Sequence, residues 1–440
     1  GFSMQGNKIL GASVIPGKSE IQVSKEGKVV LKALSEFFVF GDSVLNTRAA
    51  RVTLYTQRDS IFHPEVRLRY YTSQKYLIIQ SSDGMYKNTP FWASHFNMEI
   101  NADMIRWYLD STSLDITTLN AREQIPAQFT SKEYYNDVHL VQLTGMYGFN
   151  PLMMAVSYGR KINKKEFYYT ELADANKQNP KVVKDAMYYL MGQGFVQIDQ
   201  YGKVKLEDKA VHYVLSSFKR KDYDDILFNS LTNGAANATL NLENQELDVR
   251  GIKRFYISRP LDVYIYPDSS TITLMKNRDF KFNGQLYAGN FEFVGTDFTF
   301  RYDSFLVDMT QIDSIRFYIE VKDAKTGKLK RQRVDNKLIG GDTTSAQALA
   351  GISTSFDGHS GTLYINTPDN KSGLRTFPNY PVFDASRGAV VYFDNKSVLG
   401  NAYDRSVHFV IPPFKIDSLS GSDPATIGFE GTFVSGGIIP

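Results

Sequence analysis

Ser43, in the run Phe38-Val39-Phe40-Gly41-Asp42-Ser43-Val44, is the best-placed nucleophile in this sequence. Serine chemistry needs a histidine to take the hydroxyl proton and a third group to orient that histidine. The six histidines, at 63, 95, 139, 212, 359 and 408, are scattered, and His408 follows Asp404 by four residues. Gly358-His359-Ser360-Gly361 is not a nucleophile elbow, because the Gly-x-Ser-x-Gly pattern breaks at Thr362, so it reads as a turn before a strand. No two histidines have metal-ligand spacing. Asp297, Asp303, Asp308 and Asp313 are the residue types that bind calcium or cleave glycosides. They lack the dense Asp-x-Asp-x-Asp-Gly loop, so they read as turn residues at strand ends. No phosphate loop or dinucleotide fingerprint occurs, and no cofactor is expected. A partner-binding face is assigned to Lys177, Lys181, Lys184, Lys203 and Lys205, behind a basic knot of Arg160, Lys161, Lys164 and Lys165. Asp174, Asp185 and Asp199 oppose these lysines, and no arginine is placed to grip a guanine edge, so a protein partner is expected before nucleic acid. Tyr264 and Tyr266, two apart on one face, suit either stacking on sugars or filling a core.

Most of these residues lie on short strands. Glu20–Val23, Lys28–Leu31, Arg51–Tyr55, Val66–Tyr70 and Tyr76–Gln80 alternate apolar and polar residues between turn signals. Met104–Leu109 fits strand or helix. Residues 1–145 are therefore read as one β-rich domain. Residues 231–440 are read as another, with brief strands from Ala238–Leu242 to Ser304–Asp308, Asn290–Val294 and Asp297–Tyr302 among them. Such closely spaced rungs predict a β-solenoid, an elongated sheet or a sandwich. Lys322–Arg331 reads as a hairpin tip, and Ser345–Ala350 as a short helix. Phe282–Gly289 and Phe429–Gly436 echo each other through Phe-x-Gly, glycine allowing close backbone approach.

Residues 146–230 differ. Thr170–Ala175 forms a short helix, and Pro180 opens a second one with Asn179 as its N-cap. Val182, Val183, Ala186, Met187 and Leu190 recur at helical spacing as its buried stripe. Phe195–Ile198 and Lys203–Leu206 alternate as a hairpin through Gln200-Tyr201-Gly202, and a last helix spans Asp208–Ser217.

Composition excludes some chemistry outright. The 440 residues contain no cysteine, so disulfides, thiolate metal sites and cysteine nucleophiles are absent. Fifty basic against 47 acidic side chains leave a net charge of +3, which generates no strong field for nucleic acid or anionic membrane. Residues 151–225 hold 13 basic and 10 acidic side chains, an equally flat balance. Aromatics at 13% favour β structure. No apolar run approaches the roughly 18 residues of a membrane span. No signal peptide is visible at the start, and Gly1-Phe2-Ser3-Met4 reads as cut from a longer chain.

Three resemblances follow. Phe38–Val44 resembles the first block of the GDSL-type esterases, which implies a serine nucleophile at Ser43. The family's Asp-x-x-His spacing is absent at Asp404 and His408, and its oxyanion blocks find no counterpart. Helix, turn, helix and hairpin in 146–230 resemble a winged helix. Asn277–Gly284, with Asp423–Phe433, resembles large cell-envelope proteins of the Bacteroidota, which implies export to the periplasm or cell surface. The expected class is thus mainly β with a small α+β insert: solenoid-like or elongated sheets flanking a winged-helix-like domain. The expected function is a non-enzymatic scaffold or docking protein without cofactor. The alternatives are a carbohydrate-binding or carbohydrate-processing surface protein and, behind it, an esterase.

Overall fold

The computed structural model describes residues 2–5, 8–13, 19–82, 86–119, 125–145, 147–322, 329–333, 359–392, 404–421 and 428–437. The chain is mainly β, with 49% strand and 15% helix, and its sheets do not close. It divides into two compact units, Gly1–Gly251 with Leu274–Arg278, and Ile252–Thr273 with Asp279–Pro440. The expected boundaries at 145/146 and 230/231 do not coincide with this division, because residues 146–230 belong to the first unit.

The first unit grows from two antiparallel 13-residue strands, Val44–Thr56 and Asp59–Tyr71. Their register shifts between Thr47 and Ala50 and again between Ala50 and Val52. Bulges bend a strand, so each of these two can serve two neighbours along its length. Val44–Thr56 takes Phe37–Phe40 near its start and Lys28–Ser35 further on. Asp59–Tyr71 takes Phe91–Ala93 near its start and Tyr76–Ser81 near its end. One ladder then runs from Phe91–Ala93 through Met98–Asn101 and Ala127–Ser131 to Leu227–Ser230. The other runs from Tyr76–Ser81 through Met104–Tyr108 and Ser113–Thr117 to Ala238–Asn241. Met104–Tyr108 is therefore strand, with Ile105 and Trp107 buried at alternate positions.

The α-helices of the described residues lie in the same unit: α1 Asp137–Gln142, α2 Pro151–Lys161, α3 Tyr169–Ala175, α4 Pro180–Gly192 and α5 Asp208–Ser217. Asn150 and Asn179 cap α2 and α4 with their side chains, each followed by a proline whose missing N–H costs nothing in the first turn. Val183, Ala186, Met187 and Leu190 are fully buried, as the helical spacing predicts. Val182 is not: it is 37% exposed, because it falls about 100° around the helix from Val183. Glu166–Tyr168, Lys203–Leu206 and Val196–Ile198 form a small antiparallel sheet beside the helices. Leu152, Val156, Phe167, Leu172, Val204 and Val214 close the helical core.

The second unit is an antiparallel series: Phe255–Ser258, Val263–Pro267, Phe280–Ala288, Phe291–Arg301, Leu306–Lys322, His359–Tyr364, Val382–Ala385 and Phe414–Ile416. Phenylalanine rings fill its core, Phe280 lying 4.8 Å from Phe300 and Phe293 4.8 Å from Phe383. Two expected breaks are missing. Asn290–Val294 and Asp297–Tyr302 are one strand, Phe291–Arg301, and Ser304–Asp308 falls at the head of the 17-residue strand Leu306–Lys322. Gly295-Thr296-Asp297 has turn composition, but the structure uses it as a bulge inside a continuous strand, Thr296 and Asp297 together opposing Asn283. Gly284 lies beside this bulge on the partner strand at φ +132°, and a Cβ there would sit 2.4 Å from the Tyr266 carbonyl oxygen. At Gly431 of the echoing segment, a Cβ would sit 2.2 Å from the Val410 carbonyl oxygen. Both glycines thus permit close backbone approach. The hairpin of Leu306–Lys322 with Leu329–Arg333 is present. Its tip at 323–328, the expected helix at 345–350 and residues 423–427 lie outside the described residues.

Candidate binding cleft

The alternation of the first unit's strands puts two rows of side chains on the face opposite the core. Pairing register aligns Phe62, Trp92, Glu99, Thr130 and Leu227 across five strands. The next row is Asn101, Gln128 and Asn229. Their chain neighbours Ile61, Ala93, Ile100, Phe129 and Phe228 point the other way and are buried. A strand's period of two makes this division automatic once the register is set.

The floor so formed is walled by the end of α4, the strand Val196–Ile198, the start of α5 and the helix α1. Two adjoining clefts result. One, of about 280 Å³, contains Trp92, Phe62, Tyr86, Pro90 and Gln197. The other, of about 440 Å³, contains Asn101, Gln128, Asn136, His139, Gln193 and Tyr213. Both border Glu99, Lys132 and Lys209.

Lys209 on α5 donates to the Glu99 carboxylate at 2.6 Å and to the Gln193 carbonyl at 3.1 Å. It also lies 4.7 Å from the Phe195 ring centroid. The pair is only 22% and 16% exposed, so it bolts helix to sheet where water screens little. Lys132 lies 5.8 Å from the Trp92 ring centroid. Glu207 accepts from Gln197 at 2.5 Å, and Asp208 from Lys165 at 2.6 Å. The Lys165 partner holds the Asp208 carboxyl below its ordinary range. His139 Nδ1 meets the Tyr213 hydroxyl at 2.9 Å, and that hydroxyl also bonds the Asn136 backbone. Burial, helped by Lys209, pulls the His139 pKa down, so the imidazole is neutral at pH 7. Burial pushes the Tyr213 hydroxyl up, and it stays protonated.

The lysines singled out from the sequence occupy a different face. Lys177 sits in the turn after α3 at φ +53°, and Lys181 and Lys184 follow on α4. Lys184 lies 5.8 Å from the ring centroids of Tyr169 and Tyr188. Lys203 pairs with Glu166 at 2.6 Å, which raises the lysine and lowers the carboxyl, and Lys205 stands opposite Glu166 in register. Exposed Tyr168 and Tyr201 flank this surface.

Tyr264 and Tyr266 divide between their two expected roles. Tyr264 is 9% exposed and stacks on Tyr287 at 4.7 Å, whereas Tyr266 is 38% exposed. The Arg254 guanidinium lies within 5.4 to 5.9 Å of Tyr256, Tyr264 and Tyr266.

Ser43 lies exposed in the turn between the paired strands Phe37–Phe40 and Val44–Thr56, and a strand rather than a helix follows it. The histidines are bonded elsewhere: His63 to Thr89, His95 to Asp59, His139 to Tyr213, His212 to Glu133, His359 to Val390 and His408 to Arg405. Asp308 pairs with Arg301 at 3.5 Å, and Asp313 accepts from Gln311 at 3.3 Å. Among the described residues, no group of three or more histidines and carboxylates could hold a metal ion. Among the same residues, no helix is long and apolar enough to cross a membrane.

Sequence reasoning flagged His139 but missed Trp92, Glu99, Gln128 and Lys209. The alternation of Met98–Asn101 and Ala127–Ser131 shows which of their side chains share a face. It does not show which strands are neighbours. Comparison of the chain with protein-family models, curated proteins and solved structures finds no match.

Proposed function

We propose that this chain is a non-enzymatic binding protein of the bacterial cell envelope, exported to the periplasm or cell surface. Its β-sheets act as the scaffold, and residues 146–230 act as a winged-helix-like module used for docking. The cleft beside that module carries the reading. Each of its charged side chains already has a partner within the protein: Glu99 with Lys209, Glu207 with Gln197, Asp208 with Lys165, and Lys132 with the Trp92 ring. What remains is a cradle of amides, hydroxyls, one tryptophan and the His139 imidazole, whose Nδ1 is engaged by the Tyr213 hydroxyl, and this lining suits holding a ligand. The antiparallel ladders favour an elongated sheet over stacked solenoid rungs. The lack of cysteine and the resemblance to envelope proteins support export.

A thermal-shift screen of neutral and anionic oligosaccharides, peptides and duplex DNA tests the function, with each hit then followed for turnover. A ligand that stabilises the protein and is recovered unchanged supports the reading. Hydrolysis of a hit, or retention on duplex DNA at physiological salt, overturns it. Fractionation of the source cells tests the compartment, and a wholly cytoplasmic protein refutes that part.

A second reading has its own observation. The α3–α4 face combines Lys177, Lys181 and Lys184 with exposed tyrosines, and tyrosine-rich surfaces are those that protein interfaces favour. On this reading the module holds a protein partner. Tyr168→Ala with Tyr201→Ala then releases a partner co-purified from the envelope fraction, and retention of that partner refutes it.

A further inference from the structure

We propose that the two-part cleft binds a neutral oligosaccharide, one sugar ring lying on Trp92 and the next ones hydrogen-bonded along the Asn101–Gln128 row. The inference rests on reading the cleft as the ligand site, and it names the ligand's chemistry.

Three features of the lining lead there. The first is electrical. The cleft holds acids and bases in near balance, and they are paired with each other or with neighbours, as at Glu99 and Lys209, 2.6 Å apart. An anionic ligand would face the carboxylates of Glu99, Glu207 and Asp208. A cationic ligand would have to compete with Lys209 and Lys165 for those same carboxylates. A neutral ligand meets neither obstacle.

The second is the kind of polar group. The larger cleft is lined by the carboxamides of Asn101, Gln128, Asn136 and Gln193 and the hydroxyl of Thr130. Asn136 is engaged by the His139 N–H and the Tyr134 hydroxyl, whereas Gln128 donates one N–H to Asn229 at 3.1 Å and keeps its carbonyl oxygen and second N–H. Carboxamides both donate and accept, which matches a hydroxyl that does the same. An apolar ligand would strip these groups of water without replacing their hydrogen bonds. The neutral His139 imidazole, held by Tyr213, adds no charge.

The third is the aromatic floor. Trp92 is paired in register between Phe62 and Glu99, on the solvent side of its strand. An indole face suits the apolar C–H side of a sugar ring, and the ring's hydroxyls then project sideways. Lys132, 5.8 Å from the indole centroid, is close enough to donate to such a hydroxyl. Trp92 and the amide row thus offer two kinds of contact side by side, one for each aspect of a chain of sugars.

The test titrates neutral oligosaccharides (gluco-, xylo-, manno- and N-acetylated glucosamine series) against the full chain. Indole fluorescence and calorimetry are the readouts, and a sulfated oligosaccharide and peptides serve as comparison ligands. The variants are Trp92→Ala, Trp92→Leu and Gln128→Leu. Circular dichroism confirms that each folds, and Gln128→Leu answers the question if neither Trp92 variant does. A neutral oligosaccharide is expected to bind and to lose about tenfold in affinity in the Trp92 variants, the scale of one lost aromatic contact. Gln128→Leu is expected to weaken it as well. Binding of only a peptide or the sulfated sugar, lost with Trp92, overturns the neutral-glycan assignment and leaves the cleft as the site. If no ligand binds, or binding is indifferent to every variant, the cleft is not the site and both readings fall.

Discussion

Lowering the pH tests the packing of the first unit through His63. This imidazole is fully buried on the strand Asp59–Tyr71, against the Phe91 ring at 4.6 Å. Its Nε2–H donates to the Thr89 carbonyl at 2.8 Å, and its Nδ1 accepts from the Glu65 N–H at 3.1 Å. A second proton would need Nδ1, and would break the Glu65 bond inside a dry core. Burial accordingly pushes the pKa from 6.5 down to about 4. The unfolded chain takes up a proton as the pH falls through about 6.5, while the folded chain resists until about 4. Stability is therefore full above pH 6.5 and is lost progressively below it, by about 2 kcal/mol at pH 5 and about 3 kcal/mol at pH 4. Urea unfolding at pH 7 and pH 5, followed by the fluorescence of Trp92 and Trp107, measures the loss. His63→Gln keeps an amide donor for Thr89 and removes the titration, so it is expected to lose about 2 kcal/mol less than the parent over that interval. His139 and His212, which burial also shifts down, act in both chains and cancel in the comparison. Equal pH dependence in the two proteins, or a His63 titration midpoint near 6.5 by NMR, refutes the reasoning.

Lys209→Met strands the Glu99 carboxylate and is expected to destabilise the first unit by about 1–3 kcal/mol in urea, whereas adding Glu99→Gln recovers part of the loss; an additive double variant would show the pair to be uncoupled. Asn179→Ala removes the cap of α4 and is expected to cost about 1 kcal/mol, and an unchanged thermal midpoint would deny the capping bond its role. Gly284→Ala forces a side chain into φ +132° and a carbonyl contact, with an expected loss of at least about 2 kcal/mol or a rearranged bulge visible in amide shifts; wild-type stability and shifts would contradict the geometry.

The helical module was the most legible part of the chain. Asn179-Pro180, the spacing of Val183, Ala186, Met187 and Leu190, and the strand–turn–strand run at 195–206 are signals carried by residues within a few positions of each other. A helix closes its hydrogen bonds over four residues, so local sequence is enough to place it. The strands were legible as strands for a related reason, the period of two. Their lengths were less so, because Gly295-Thr296-Asp297 has the composition of a turn and becomes a bulge only when Phe280–Ala288 pairs alongside it.

By itself, then, the sequence determined a β-rich, cysteine-free chain of balanced charge, with one helical segment and five lysines on or beside its second helix and hairpin. The tertiary structure alone decided what those elements make together. Glu99 and Lys209 are 110 positions apart, and nothing in either neighbourhood announces the other. Trp92, Gln128 and Tyr213 become one cleft only once strand pairing is chosen and the helices are set against the sheet. The same holds for Tyr264, buried, and Tyr266, exposed, two residues apart on one strand. A side chain's direction is local, but what it meets is fixed by register and packing between distant segments, and those are settled by the burial of the whole core.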